Sequence, residues 1–411
     1  MLYAQTVPAV QHAATALALV HRDHLDHGVT DKVYQLQAFK GRSSFDAPLF
    51  YYNRAIRFLL DQKETGATET TAITLLVCYL LMCFDLLAGN YVQATNHLRG
   101  GVELARNVDV TLHRKKASYN DIDVPAADSL LDQVIEQVNR LDTQAVIFLL
   151  DWNPTITHES LMAQLPVSGD VFLHKDQAAD HMQTLIARIA RHRNMALFSS
   201  EQMAVSSAQA RDSLDTQLER WRSLFERSMR QDSFKDSQAD SHPLIPLLRL
   251  QYIIARILLE TNATNAEMEY DNFLPQFRQA MTLAHQVADT HVRYSGSRKP
   301  TFTPEIAFAP VLFIIGSKCR DPFLRRDAVG ILRRQPMREA VWDSIISAIV
   351  LERIIEIEEG GLGQIMTMQQ VPVYQRVEIF DWIHYPGAEP RLDITYNISG
   401  MEKMCTESLP L

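Results

Sequence analysis

The chain has 411 residues, of which 46% are hydrophobic and 22% charged, and its 40 Lys and Arg against 49 Asp and Glu give a formal net charge of −9. This composition supports a large buried core and argues against disorder over most of the chain, and the acidic balance argues against broad nucleic-acid binding. Glycine is scarce, at 15 residues, roughly half of average usage. Because phosphate loops and tight β-turns depend on glycine, a nucleotide-binding α/β fold, a barrel and a β-sandwich are disfavoured.

Helical periodicity dominates the first part of the chain. Apolar residues at helical spacing predict three helices, over 9–25, over 48–62 and in a run that ends at Gly89. A turn at Gly89 leads into a returning helix over 91–107, in which Ala94, Leu98 and Ala105 share one stripe. Because small residues allow two helices to approach closely, this pair resembles a tetratricopeptide helical hairpin.

The helical pattern continues beyond this pair. Further helices are predicted over 130–150, 180–198, 204–230, 243–258, 267–291 and 337–358. The polar stretch 111–128 is predicted to be a loop, and 231–241 is predicted to be a linker. Asp321 followed by Pro322 is typical of a helix N-cap and first turn, and predicts a helix that ends at Arg334.

Only the tail departs from the helical pattern. Residues 376–385 and 392–398 alternate as strands do, on either side of a turn at 386–390, which predicts a β-hairpin. The predicted fold is therefore an all-α superhelical array of antiparallel helix pairs with a small C-terminal β-hairpin. Its predicted domains are an all-α regulatory-type domain over 1–370 and a hairpin and tail, over 371–411, packed on it.

The cysteines and the apolar segments indicate an intracellular protein. The four cysteines lack the spacing of a zinc site and are expected to be free thiols in a reducing compartment: Cys78, Cys83, Cys319 and Cys405. The N-terminus has no signal-peptide pattern. The apolar stretch 72–88 is shorter than a membrane span and carries Asp85, so we expect a buried helix there. Nuclear or cytoplasmic localisation follows, without a membrane.

Asp85 is the strongest candidate for a functional residue, because it interrupts an otherwise apolar helix. A buried carboxylate needs a partner or a raised pKa. Asp85 would act as a pocket acid or, as the commoner alternative, would reach a neighbouring arginine or backbone amide near the helix end. His21 and Tyr52 are the other polar candidates for lining a ligand pocket.

Metal and cofactor chemistry find little support in the sequence. His21, Asp23, His24 and Asp26 form a metal-like cluster, but a helix C-terminus favours histidines for electrostatic reasons alone, so no metal site is predicted. No motif for nucleotide binding, acyl transfer or zinc proteolysis occurs, and hence no cofactor is predicted and the catalytic residues are unknown. The arginine pair at Arg325 and the acidic run ending at Glu359 are interpreted as solvated helix faces.

Two blocks of sequence resemble a known family in their order and spacing. The first consists of Tyr51–Arg57, Cys83–Leu87, Gly89–Tyr91 and His97–Gly101, and the second of Lys318–Pro322, Pro336–Ser344 and Glu352–Glu359. They resemble the regulatory region of fungal zinc-cluster transcription factors, over roughly residues 8–400 of this chain. Members of that family read DNA through an N-terminal cluster of six cysteines. This chain has four cysteines in other positions.

The resemblance implies a transcription-factor-like regulatory or effector-binding module without its own DNA-binding domain. Its expected partner is a hydrophobic small molecule or another protein, with a homodimer as a further option and with no direct nucleic-acid binding. The alternative is a cofactor-independent enzyme of fungal secondary metabolism, which would cyclise or rearrange a hydrophobic metabolite in a pocket between helices. A third alternative is a chain that has lost its zinc cluster.

Overall fold

The structure is a computed structural model that describes residues 2–27, 46–61, 67–116, 126–149, 152, 154, 171–198, 204–230, 244–261, 267–295, 301–385, 391–401 and 403–411. The chain forms two compact units. The first contains Met1–Ala145 and Pro300–Glu305, and the second contains Val146–Lys299, Ile306–Tyr385 and Glu389–Leu411. The predicted domain boundary at residue 370 stays a prediction.

The first unit is a set of packed helices. They are α1 (Leu2–Thr6), α2 (Pro8–His27), α3 (Asp46–Leu60), α4 (Ala67–Ala88), α5 (Tyr91–Lys116) and α6 (Ala126–Gln144), with a short strand β1 (Thr301–Thr303). Helix α2 packs on α3 and α4, and α4 packs on α5 and α6. Small and branched side chains fill the α2–α3–α4 contact, including Ala13, Ala55 and Val77, which have no exposed surface.

The predicted helical hairpin is present in the first unit. Helix α4 ends at Ala88 and α5 begins at Tyr91, and Gly89 has a φ of 78°, a conformation that favours glycine. The predicted stripe of α5 is buried: Ala94, Leu98 and Ala105. Because α5 continues to Lys116, the prediction of a loop from residue 111 is wrong. Residues 117–125 lie outside the described part.

Helix α4 is more apolar than its neighbours. Within Glu69–Ala88 the mean hydropathy reaches 2.1, so length and composition alone would let this stretch cross a bilayer, and 61% of its most apolar 18 residues are buried inside the protein. The prediction that this apolar segment is shorter than a membrane span is therefore wrong. The prediction of a largely buried helix is confirmed by its packing on α2, α5 and α6.

The second unit contains the remaining helices and strands. The helices are α7 (Lys175–Phe198), α8 (Ala204–Arg230), α9 (Leu244–Glu260), α10 (Leu274–Ser295), α11 (Ala309–Lys318), α12 (Pro322–Arg334) and α13 (Ser344–Glu359). The strands are β2 (Met337–Glu339), β3 (Trp342–Asp343), β4 (Val377–Tyr385), β5 (Arg391–Ile398) and β6 (Cys405–Pro410). One apolar core joins α7, α8 and α9, and in it Trp221 stacks on Phe225 with 4.8 Å between ring centroids.

Helix α12 begins where the sequence predicts it. The Asp321 side chain accepts hydrogen bonds from the backbone N–H groups of Phe323 and Leu324, both at 3.1 Å. Pro322 occupies the first turn and the helix ends at Arg334. The local signal is sufficient here because the cap and the helix are neighbours in the chain.

The predicted helix over 337–358 is wrong in its first turns. Strands β2 and β3 form an antiparallel hairpin there, and α13 begins only at Ser344. Asp343 caps α13 through the N–H groups of Ile345 and Ile346 and also pairs with Arg338 at 2.8 Å. The buried ion pair therefore holds the hairpin in a segment whose apolar spacing also fits a helix.

The tail forms a sheet of three strands. The predicted hairpin is confirmed as β4 and β5, which pair antiparallel, and β6 adds a third antiparallel strand that was not predicted. The inner face buries Leu392, Ile394 and Tyr396. The turn over 386–390 lies outside the described residues. The fold class is thus mostly helical with a small C-terminal sheet, as predicted.

A buried ionic network corrects the interpretation of two charged segments. Arg325 and Glu358 have no exposed side-chain surface and pair at 2.7 Å, so neither lies on a solvated helix face. Burial alone would raise the pKa of Glu358, but the guanidiniums of Arg320 and Arg325 outweigh burial and lower that pKa to about 2. Arg376 forms a second buried pair with Asp271 at 2.7 Å.

Candidate functional site

Two of the three predicted site residues meet in the first unit. Tyr52 on α3 donates its hydroxyl to Oδ2 of Asp85 on α4, at 3.0 Å. The same hydroxyl lies 2.7 Å from Nε2 of His97 on α5. The side-chain amide of Asn90, in the turn between α4 and α5, donates to Oδ1 of Asp85 at 3.2 Å. We call Tyr52, Asp85, Asn90 and His97 the Asp85 cluster.

The Asp85 cluster is buried at one end and accessible at the other. Asp85 is 2% exposed, and the Tyr52 ring lies 5.0 Å from the ring of Phe84. The His97 side chain keeps 20% of its surface exposed. Protons can therefore reach the buried carboxyl group through His97 and Tyr52.

Burial controls the protonation of this cluster. It raises the pKa of Asp85 to about 6, although hydrogen bonds from Asn90 and Tyr52 lower the pKa in part. Burial also raises the pKa of Tyr52 and lowers the pKa of His97. At pH 7 the Tyr52 proton points to the Asp85 carboxylate, so Nε2 of His97 must be the donor in its contact with Tyr52. The cluster can thus hold or pass a proton near pH 6.

The partners of Asp85 differ from those expected of a structural carboxylate. The sequence predicted an arginine or a backbone amide, whereas the structure gives a phenol and a side-chain amide. His97 and Asn90 were missed as site residues. A usable signal existed, because the predicted hairpin turn at Gly89 brings the start of α5 next to the end of α4.

His21 does not join this cluster. It is half-buried on α2, and within the described ranges no hydrogen bond or ion pair links it to Asp85 or Tyr52. Among the described residues, no group of three or more His, Cys, Asp and Glu side chains is placed to hold a metal ion.

An open groove lies in the second unit, between α8, α9 and α10. Its volume is about 980 Å³. Its apolar part is formed by Trp221, Phe225, Tyr252, Ile253 and Leu283, and its charged rim by Arg222, Glu226, Arg227, Arg230 and Arg249. The remaining lining residues are Ser223, Gln279 and Thr282. None of the predicted site residues lines this groove.

Hydrogen bonds fix the floor of the groove. The indole N–H of Trp221 donates to the carbonyl of Ala178 at 2.9 Å, which orients the buried ring. The Tyr252 hydroxyl donates to Glu219 at 2.6 Å, and the guanidinium of Arg222 lies 5.9 Å from the centre of the Tyr252 ring. The Tyr252 hydroxyl is therefore engaged by Glu219, and its half-buried ring borders both the groove and the Arg222 guanidinium.

Sequence reasoning missed the groove. Trp221 is a buried core residue, and the sequence assigned no role to the arginines beside it. Three helices that are distant in the chain form the walls, and periodicity within one helix does not reveal where three helices leave a gap.

Comparison of the chain with protein-family models, with curated proteins and with solved structures finds no match. The resemblance to the regulatory region of zinc-cluster transcription factors therefore stays a prediction.

Proposed function

We propose that this chain is a transcription-factor-like regulatory module, and that its effector binds in the groove between α8, α9 and α10. The groove is the single observation that carries the proposal. Its volume of about 980 Å³ lies within the range of small-molecule sites, roughly 300–1,000 Å³.

The lining of the groove suits binding better than catalysis. The half-buried Tyr252 ring offers an apolar surface for a hydrophobic effector, over the buried side chains of Trp221 and Phe225, and polar groups at the rim can orient the effector. The charged lining residues are four arginines and Glu226. Arginine does not act as a general base at neutral pH, and the Glu226 carboxylate is paired with Arg249 at 3.3 Å. The open mouth allows an effector to exchange with solvent, whereas a catalytic site gains from excluding water.

The regulatory part of the proposal also draws on the sequence resemblance. A module of this kind works in the nucleus or cytoplasm, through a protein partner or as a homodimer. A mobility-shift assay with the purified chain is expected to show no sequence-specific DNA binding. Tight and specific DNA binding would contradict the proposal.

The effector can be sought directly in purified protein. Gln279 lines the groove and Gln286 lies on the same helix outside the lining, and both are exposed. A tryptophan at position 279 fills the groove, whereas one at position 286 is the matched control. Mass spectrometry of solvent extracts is expected to find a lipophilic compound with wild type and Gln286→Trp, and to lose it with Gln279→Trp. A compound retained by Gln279→Trp would contradict the proposed site.

A cofactor-independent enzyme is the second candidate, and the Asp85 cluster favours it. A carboxyl group with a pKa near 6 beside a phenol and an imidazole can shuttle protons during a cyclisation or rearrangement. The test is conversion of the co-purified compound by wild-type protein. Conversion that is lost in Asp85→Asn and kept in Asp61→Asn would favour the enzyme over the regulatory module.

A further inference from the structure

We propose that the groove selects amphiphilic organic anions, with the apolar body on the Tyr252 side and the acidic head at Arg227 and Arg230. This inference rests on the proposed function, since it names the chemical class of the effector. It adds a negative charge to the hydrophobic ligand that the sequence alone suggested.

The charge of the groove is opposite to the charge of the chain. The lining has four arginines and one glutamate, in a protein with 49 acidic and 40 basic residues. Two of these arginines have acidic partners: Arg222 pairs with Glu219 at 3.0 Å, and Arg249 pairs with Glu226 at 3.3 Å. A net positive charge therefore remains at the rim.

Arg227 and Arg230 supply that remaining charge. Both are exposed and lie in the last turn of α8. They are three residues apart, so they are neighbours on the helix surface. Neither forms an ion pair within the described part of the chain. The helix dipole favours a cation at this position, but it does not account for the aromatic residues that line the same groove.

The pairing of cationic and apolar surfaces defines the ligand. Guanidinium groups bind carboxylate, sulfonate and phosphate oxygens through paired hydrogen bonds and keep their charge at all physiological pH values. The half-buried Tyr252 ring offers an apolar surface in the same groove. A neutral hydrophobic molecule would contact only the apolar surface, and a small inorganic anion would contact only the guanidinium groups.

Two dyes with the same aromatic body test this inference. Anilinonaphthalene sulfonate carries an acidic head, and N-phenylnaphthylamine lacks it. Exposed ion pairs are weak, so we expect Arg227 and Arg230 together to make the sulfonate bind wild type about three- to tenfold more tightly than the neutral dye. The Arg227→Gln, Arg230→Gln double variant should lose this gain of about three- to tenfold for the sulfonate and nothing for the neutral dye.

Matched controls separate this inference from the proposed function. Arg220 lies on α8 and does not line the groove, so Arg220→Gln should bind both dyes as wild type does. If neither dye binds, or if Gln279→Trp weakens neither, the groove is not a ligand site and the proposed function fails with the inference. If both dyes bind equally and the arginine double variant changes neither affinity, the anion preference alone is overturned.

Discussion

Arg320 and Glu358 are 38 residues apart in the chain and form an ion pair with Nη2 and Oε1 at 2.8 Å, without exposed surface on either side chain. The same carboxylate also accepts the backbone N–H of Val377, at the start of β4, at 2.8 Å. One glutamate thereby joins the turn before α12, helix α13 and the C-terminal sheet. The second block of the family resemblance thus contains packing residues of this unit.

Glu358→Gln should be strongly destabilising, because it removes the buried carboxylate that Arg320 and Arg325 share. Arg320 then keeps only Glu267, at 2.6 Å, and Arg325 keeps only Glu359, at 3.6 Å. Removing one partner of a buried pair costs about 3–5 kcal/mol. Urea unfolding at pH 7 measures the loss. Glu356→Gln is the control, because the Glu356 side chain is 63% exposed and its exposed pair is worth about 1 kcal/mol or less. Equal effects of the two substitutions would contradict the role of the network.

Asp85→Asn should change how stability depends on pH. The folded-state pKa of Asp85 is about 6, above its ordinary value of 3.8. The folded state therefore binds the proton more tightly than the unfolded state, and the stability from this group is full below pH 4 and lost as the pH rises through 6. Above pH 7 the contribution of Asp85 to the free energy of unfolding is lower than below pH 4 by about 3 kcal/mol.

The asparagine variant is expected to be more stable than wild type at pH 8 by roughly 1–3 kcal/mol and to lose this pH dependence between pH 4 and 7. Its amide can accept from Asn90 and donate to Tyr52, which leaves the Tyr52 proton for His97. Urea unfolding across that pH range checks both statements. Asp61→Asn, at an exposed carboxylate of the same unit, should keep the wild-type dependence of stability on pH. If Asp85→Asn also keeps that dependence, the prediction of a raised pKa for Asp85 is contradicted.

Gly316→Ala should disturb the contact between α11 and α13. A Cβ at Gly316 would lie 2.6 Å from Cδ1 of Leu351, which has no exposed surface in which to move. Overpacking of this kind costs about 1–3 kcal/mol. Adding Leu351→Val to Gly316→Ala should recover part of the lost stability. Thermal unfolding of the two single variants and of the double variant measures this recovery. Gly330→Ala, in α12 with only the Arg334 side chain nearby, should instead be stabilising.

Asp321→Ala should lower stability by about 1–2 kcal/mol, because it leaves the first N–H groups of α12 without an acceptor. Asp321→Asn keeps a side-chain acceptor and should lose less. Thermal unfolding distinguishes them. Equal losses in the two variants would mean that charge, and not the cap hydrogen bonds to Phe323 and Leu324, holds the helix start.

Local signals predicted much of the fold. The N-cap at Asp321, the bounds of α8 and the hairpin turn at Gly89 each depend on residues that are neighbours in the chain. The β2–β3 hairpin was missed because its structure depends on distant partners. Glu339 is buried there and accepts the backbone N–H of Phe308 at 2.8 Å, 31 residues earlier, at the start of α11.

The two candidate sites differ in the same respect: part of the Asp85 cluster could be predicted from the sequence, and the groove could not. Asp85 could be found because a carboxylate in an apolar helix is visible in the sequence, and Tyr52 proved to be its hydrogen-bond donor. The two arginines at the end of α8 were not found, because cations in a last turn are common on any helix. Their relation to the Tyr252 surface exists only in the folded unit.

Hydrogen-exchange mass spectrometry with and without anilinonaphthalene sulfonate tests the central claim most directly. If the groove between α8, α9 and α10 is the effector site, the dye should slow exchange in peptides covering 219–230, 249–254 and 279–283. The Gln279→Trp variant should lose this protection. Slower exchange confined to peptides covering Tyr52, Asp85 and His97, or no change anywhere, would contradict the account.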